Sequence, residues 1–157
     1  MLLKTHLAFA LLIILLILSH IQDKILFVVL FLIATIIPDL ETLPSYFSKV
    51  QHHVHEAIIA KHHSPFHSLT FGLLISIPFL FIYPAVAFPV FLGFGLHLIL
   101  DMFTSQGARI WWPSDKITNG PIITGGLIEQ IIFYTVVIID IIWMVPPLKG
   151  LASLIKP

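Results

Sequence analysis

Three histidines lie within six residues of one another in the stretch KHHSPFHSLTFG, which covers residues 61–72. Farther along the chain, His97 and Asp101 are spaced i, i+4, which places both side chains on one face of a helix. Neutral imidazole and carboxylate groups together form a good site for zinc or a similar divalent ion. These residues therefore predict a metal site, and a wet interfacial loop with incidental histidines is the alternative.

The composition places these groups in a membrane. The chain has 157 residues, a mean hydropathy of +1.03 and only 10% charged residues, too few to cover a soluble domain. Apolar runs of about 18 or more residues indicate transmembrane helices. We therefore predict an all-α, polytopic membrane helical bundle that forms one domain over residues 1–157. The formal net charge of zero gives no basic field for nucleic acid, and the absence of cysteine excludes thiolate ligands and a cysteine nucleophile.

Five apolar segments predict five transmembrane helices and one interfacial segment. The second helix is expected to stop at Pro38, because proline disfavours helix in the residue before it. The third should begin at Pro65 with Ser64 as its N-cap. In the fourth helix, Gly93 and Gly95 allow close helix packing. Pro84 and Pro89 mark the turn between the third and fourth helices, and the sequence PPLKG should end the fifth. The predicted spans are residues 2–20, 25–41, 65–83, 88–104 and 127–145, with the interfacial segment at residues 40–63.

Successive spans alternate in direction, so the starts of odd spans and the ends of even spans lie at the same membrane face. Ionisable residues inside spans are costly and are usually functional. Alone, His6 is better explained as an interfacial residue, and His97 with Asp101 is equally well explained as a buried hydrogen-bonded pair. The convergence of separate segments favours the metal site. Asp140 lies toward the other face and receives no role, and the interfacial His52, His53, His55 and Glu56 are interpreted as a solvated surface. The groups on the site face are His6, Asp39, His62, His63, His67, His97, Asp101 and Glu129.

These segments resemble those of a known family, the YdjM-like membrane-bound metal-dependent hydrolases. The matching pieces follow the family's order and cover nearly the whole chain: His6, PDLE at 38–41, HHSPFHS at 62–68, GFGLHLILDMFTSQG at 93–107, WWP at 111–113 and GGLIEQ at 125–130. That family is distantly similar to the zinc-dependent phospholipase C and single-strand nuclease superfamily, whose helices present histidine and aspartate ligands to zinc. Glu129 matches a recurrent glutamate of the family's last helix. The resemblance implies that the metal ligands are His6, Asp39, His62, His67, His97 and Asp101.

One motif departs from the family pattern. The family usually has His-Arg-Gly-x-Thr-His-Ser where this chain has HHSPFHS, so His63 replaces an arginine. An arginine there would suit a phosphate oxyanion through its planar guanidinium. His63 could do so only when protonated, or could bind metal instead. Arg109, the only arginine in the chain, lies on the site face and is the candidate substitute.

The leading hypothesis is metal-dependent hydrolysis of a phosphate ester, with zinc or manganese as the cofactor. Asp39 and Glu129 join the catalytic set, and Arg109 or His63 would stabilise developing charge. A site at the bilayer surface beside two tryptophans suggests a lipid or lipid-linked headgroup as substrate.

Two other functions remain open. Membrane histidines and carboxylates also form metal or proton pathways, although transport sites usually lie near the bilayer midplane. A purely structural bundle is the other alternative. Basic residues favour the cytoplasmic side of a membrane, so we expect the site of this cell-membrane protein to lie on the cytoplasmic face. Five of the eight basic residues lie on the site face: Lys4, Lys49, Lys61, Arg109 and Lys116.

Overall fold

The computed structural model describes residues 1–40, 67–114 and 116–155. These residues form five α-helices and no strand, which confirms the predicted all-α class and the helix count. The predicted interfacial segment lies almost entirely outside the described residues. The helices are α1 (Leu3–Ile17, followed by a 3-10 turn at Leu18–His20), α2 (Lys24–Leu40), α3 (Leu69–Ile82), α4 (Pro84–Met102) and α5 (Leu127–Ile155).

Three segments of the described chain are long and apolar enough to cross a membrane: Leu3–His20, Pro84–Met102 and Leu127–Val145. Helix α3 is a shorter apolar helix of 14 residues. Crossing the hydrocarbon core takes about 20 residues, and the large exposed side chains of α5, such as Ile138 and Ile142, are apolar. The surface of the bundle therefore suits a lipid environment.

Helix α4 is the central helix of the bundle. It packs along α2 and α3 and also touches α1, whereas the main neighbour of α5 is α1. Gly93 permits the contact between α4 and α2, because a Cβ there would lie 2.6 Å from the Phe31 carbonyl oxygen and 2.8 Å from Ala34 Cβ. This confirms the predicted packing role of Gly93. The same prediction for Gly95 is wrong, since a Cβ at that position would meet no atom of the described chain within 4 Å.

Prolines end fewer helices than predicted. Helix α2 continues through Pro38 to Leu40, and α4 begins at Pro84 and contains Pro89. The expected stop at PPLKG is also wrong, because α5 continues to Ile155. Each proline removes one backbone hydrogen bond, and in transmembrane helices neighbouring groups and local adjustments satisfy the freed carbonyl. The predicted membrane segment of α5, Leu127–Val145, is unaffected.

Helix α3 begins at Leu69, four residues after its predicted start. Its N-cap is Ser68, whose Oγ accepts a hydrogen bond of 3.2 Å from the Phe71 amide. The predicted cap, Ser64, lies outside the described residues. Both candidates are serines before an apolar run, so capping preference alone does not separate them. A tertiary contact does: the Leu69 amide donates to the Ile110 carbonyl oxygen at 2.9 Å.

The loop at residues 103–126 is built onto the end of α4. A β-bridge joins Thr104 to Ile122, and the Thr104 hydroxyl donates to the Asp101 carbonyl oxygen at 2.7 Å. Gly107 has a φ of +72°, and a Cβ there would lie 2.5 Å from the Thr118 carbonyl oxygen, so both conformation and space require glycine. The loop therefore holds a fixed shape beside the helix end that carries Asp101.

Candidate metal centre

Helix α4 supplies two polar side chains to the interior of the bundle. His97 is fully buried and Asp101 is 5% exposed. The Nε2 atom of His97 lies 3.3 Å from Oδ2 of Asp101, so the predicted i, i+4 pair does share one face. A carboxylate and an imidazole inside an apolar bundle need partners, and other segments provide them.

Two further histidines reach the Asp101 carboxylate from other segments. His6 of α1 places its Nε2 atom 3.4 Å from Oδ1, and its ring stacks on that of His97 with centroids 4.2 Å apart. His67, just before α3, places its Nε2 atom 3.8 Å from Oδ2 and 3.3 Å from Nε2 of His97. Three imidazole Nε2 atoms thus converge on one carboxylate.

Asp39, near the end of α2, joins the same cluster. Potential ligand atoms of His6, Asp39 and His97 lie within 4.8 Å of one another, and so do those of His67, His97 and Asp101. The two groups share His97. Five of the six predicted ligands are therefore brought together, and the sixth, His62, lies outside the described residues.

Backbone carbonyls orient two of the imidazoles. Nδ1 of His97 lies 2.9 Å from the Thr35 carbonyl oxygen, and Nδ1 of His6 lies 3.2 Å from the Leu2 carbonyl oxygen. A carbonyl can only accept a hydrogen bond, so each Nδ1 atom carries a proton, and in the neutral imidazole each Nε2 atom then keeps a lone pair. Metal-binding histidines are typically held in this way. Sequence reasoning missed Leu2 and Thr35, because a main-chain contact leaves no residue-type signal.

The spacing of these atoms fits a divalent cation. Zinc–nitrogen bonds of about 2.0–2.1 Å in a tetrahedron place neighbouring donor atoms about 3.3–3.4 Å apart. Nε2 of His67, Nε2 of His97 and Oδ2 of Asp101 lie 3.3, 3.3 and 3.8 Å from one another, and two of these separations match that value. His6 lies 3.4 Å from the other carboxylate oxygen, Oδ1. Neutral imidazole with carboxylate suits zinc, and carboxylate also suits manganese. The residues present therefore form a group that could hold a metal.

A positive group already faces the Asp101 carboxylate. The α-amino group of Met1 pairs with Oδ1 of Asp101, and the Met1 residue is itself buried. An ammonium donates hydrogen bonds and offers no lone pair. No sequence pattern indicated this contact.

Glu129 lies one layer away from the imidazoles. Its side chain is fully buried. Oε1 accepts hydrogen bonds from the Leu2 amide at 2.6 Å and the Thr5 hydroxyl at 2.8 Å, and Oε2 accepts one from the Gly125 amide at 2.6 Å. It belongs to neither metal group in the described chain. Glu129 therefore joins the start of α5 to the start of α1, the helix that carries His6.

Arg109 lies in the loop that follows α4 and is 4% exposed. The next residue, Ile110, accepts the hydrogen bond from Leu69, two residues after His67. This contact places the arginine segment beside the His67 segment. Trp111 and Trp112 follow directly and are 59% and 43% exposed, as interfacial aromatic side chains should be.

Some predicted residues lie outside the described residues, and one lies away from the cluster. His63, like His62, lies outside the described residues, and so does the interfacial histidine group at residues 52–55. Asp140 is described, but it lies on α5 far along the helix from Glu129, and it lines a groove between α1 and α5. It is not part of the candidate metal centre.

These helices and this buried cluster define a helical membrane protein with a histidine–carboxylate centre at one end of its bundle. The chain belongs to the YdjM inner membrane protein family, whose model matches residues 1–155. The family prediction is therefore confirmed. No curated protein and no solved structure matches the chain, and the distant similarity to the phospholipase C superfamily stays a prediction.

Proposed function

We propose that this protein is a membrane-embedded, metal-dependent hydrolase that cleaves a phosphate ester of a membrane lipid or a lipid-linked molecule. The observation that carries the proposal is the convergence of three imidazole Nε2 atoms on the buried Asp101 carboxylate. Burying such groups together without a ligand is unfavourable, and ionisable side chains gathered inside a membrane bundle are usually functional.

His67, His97 and Asp101 would hold one cation, and His6, Asp39 and His97 form a second possible position that shares His97. A divalent ion bound there would act as a Lewis acid and would make water a better nucleophile. Asp39, which is only partly buried, is suited to accept the proton of the attacking water. The water oxygen would attack phosphorus, the ester P–O bond would break, and the leaving oxygen would take a proton from solvent water.

Arg109 is the group best suited to bind the phosphate. Its guanidinium stays protonated and can donate two parallel hydrogen bonds to phosphate oxygens. Its burial beside the His67 segment supports this role. The exposed tryptophans that follow it favour a site at headgroup level, which favours a lipid over a soluble substrate.

The experiment is hydrolysis by the purified protein in detergent or liposomes, using a panel of phosphodiesters and phospholipids. We expect activity that a chelator abolishes and that added zinc or manganese restores. The His97→Ala variant should be inactive. His20→Ala is the matched control, because His20 is an exposed histidine in the 3-10 turn that follows α1, and it should retain full activity.

Two results would contradict the proposal. One is hydrolysis that is indifferent to chelators and to the His97→Ala change. The other is a metal flux into proteoliposomes that requires His97 and is accompanied by no hydrolysis of any panel member, which would identify a transporter instead.

A further inference from the structure

A groove runs along the seam between α1 and α5, outside the candidate metal centre. It is a cavity of about 370 Å³ that opens sideways from the bundle. Its walls are apolar and come from both helices: Leu7, Ala8 and Leu11 from α1, and Phe133, Val137 and Ile141 from α5. Its apolar lining, and its place between two helices that are long enough to cross a membrane, suit contact with the hydrocarbon of a bilayer.

One positive charge stands at the mouth of the groove. Lys4 lines its upper end, and its Nζ atom lies 4.8 Å from the centroid of the Phe133 ring. Lys4 and His6 both belong to the first two turns of α1, so the mouth and the candidate metal centre open toward the same membrane face. A lysine at this level attracts anionic lipid headgroups.

The groove is long enough to hold much of an acyl chain. From Phe133 to Met144, α5 rises about 16 Å, at about 1.5 Å per residue, and half of a hydrocarbon core of about 30 Å is about 15 Å. Because Met144 is the second-last residue of the membrane segment Leu127–Val145, the groove reaches past the bilayer midplane along α5.

Asp140 stands toward the deep end of the groove. It is 3% exposed, and its Oδ1 atom has no hydrogen-bond partner in the described chain. Phe133 and Asp140 are seven residues apart, or about 10 Å along the helix. The carboxyl group therefore lies well below the level of a headgroup held at Lys4.

We propose that the groove between α1 and α5 binds one alkyl chain of an anionic phospholipid, with the phosphate of that lipid paired to Lys4. The apolar walls, the length of about 16 Å and the cation at the mouth each match a part of this ligand. The idea that the bound lipid is the substrate rests on the proposed function. Lipid binding by the groove does not depend on that function, so lipid binding and hydrolysis are tested separately.

The test uses photoactivatable phospholipids with a diazirine in the acyl chain, one anionic (phosphatidic acid) and one zwitterionic (phosphatidylcholine), in vesicles that contain the intact protein. After irradiation, peptide mass spectrometry locates the labelled residues. We expect labels concentrated on residues 7–11 and 133–144, with the anionic lipid captured about fivefold more than the zwitterionic one, as a single lysine near the surface provides.

Matched substitutions separate the charge from the cavity. Lys4→Gln should reduce the anionic preference to about one, whereas Lys24→Gln, at the start of α2, should leave it unchanged. Val137→Trp fills the groove and should lower capture of both lipids severalfold, whereas Ile138→Trp, on the exposed side of α5, should not. Labels spread evenly over the exposed apolar surface, or a Val137→Trp variant with normal capture, would overturn the proposal.

Asp140 provides a test of the occupant's chemistry. An alkyl chain offers no hydrogen bond at that depth, so Asp140→Leu should keep or increase lipid capture. A severalfold loss of capture would show that the occupant carries a polar group there and would overturn the alkyl-chain assignment. Labels from the diazirine on a co-purified protein would show that a partner helix fills the groove. Normal lipid capture by a protein that hydrolyses nothing would refute the proposed function alone.

Discussion

Asp101 is the residue on which the candidate centre depends most. Its two carboxylate oxygens face His6 on one side and His67 and His97 on the other. Its negative charge is therefore the shared partner of the cluster, and its removal should affect every ligand.

Asp101→Asn should lower divalent-metal affinity by at least 100-fold. The substitution keeps the size of the side chain but removes the charge and replaces one acceptor oxygen by a donor NH2 group. Isothermal titration with zinc measures the effect. Asp23→Asn, in the exposed turn before α2, is the control and should bind zinc as the unaltered protein does. Equal affinities in both variants would remove Asp101 from the site.

At this scale the sequence predicted which side chains meet but not how they are held. The i, i+4 spacing of His97 and Asp101 is a property of any helix, so their common face could be predicted. The hydrogen bond from His97 to the Thr35 carbonyl oxygen could not, because it depends on the separation of two helices. The contact of the Met1 amine with Asp101 left no sequence signal either.

At the scale of elements, the contact between α2 and α4 at Gly93 fixes the orientation of His97. Gly93 and His97 are one turn apart on the same face of α4, and His97 bonds to Thr35 of the facing helix. Any change that separates these helices must lengthen this bond. The close packing of α2 and α4 at Gly93 is therefore required to position His97 in the site.

Gly93→Ala should destabilise the fold by about 1–3 kcal/mol, as overpacking does, because the new Cβ would lie 2.6 Å from the Phe31 carbonyl oxygen. Metal affinity should fall as well. Thermal unfolding in detergent, with and without zinc, measures both effects. Gly95→Ala is the control: it meets no atom within 4 Å, and it should be neutral or slightly stabilising through helix propensity. Equal effects of the two changes would contradict the role given to Gly93.

Glu129→Ala should destabilise the protein by about 1–3 kcal/mol, because it leaves the buried Thr5 hydroxyl and two partly buried amides without their acceptor. We expect weaker metal binding too, since the start of α1 carries His6. Gln130→Ala removes only an exposed hydrogen bond of 3.3 Å to the Gly125 carbonyl oxygen and should change neither property. A Glu129→Ala protein with normal stability and metal affinity but no turnover would instead identify Glu129 as a catalytic residue.

Helix boundaries were predicted less well than helix identity. Apolar length identified the segments, but proline rules taken from water-soluble helices placed the ends of α2 and α5 too early. Inside a membrane bundle, neighbouring groups can satisfy the carbonyl that a proline leaves without a hydrogen bond, so the helix can continue past the proline. The start of α3 was set by the bond between Leu69 and Ile110, a tertiary contact that capping rules do not include.

At the scale of the whole molecule, alternation of the spans predicted that distant segments meet at one face. His6, Asp39 and His97 come from three different helices, and they do meet. This inference needed only the number and direction of the helices. The groove between α1 and α5 could not be predicted, because it depends on which two helices pack as neighbours.

The distribution of lysine and arginine predicts that the site face is cytoplasmic. Because the chain has no cysteine, single cysteines report orientation directly. In intact cells, a membrane-impermeant maleimide should label Gln22→Cys, in the turn between α1 and α2, and should leave Ser105→Cys, in the loop after α4, unlabelled until the membrane is permeabilised. The reverse pattern would place the site on the outer face.

The central claim is that the buried histidine–carboxylate cluster binds a divalent metal. Elemental analysis of the purified protein, beside its His97→Ala and His20→Ala variants, tests it most directly. We predict at least one zinc or manganese ion per chain in the unaltered protein and in His20→Ala, and a clear loss in His97→Ala. Metal-free protein that binds no added zinc or manganese, or a His97→Ala variant with undiminished metal, would contradict the claim.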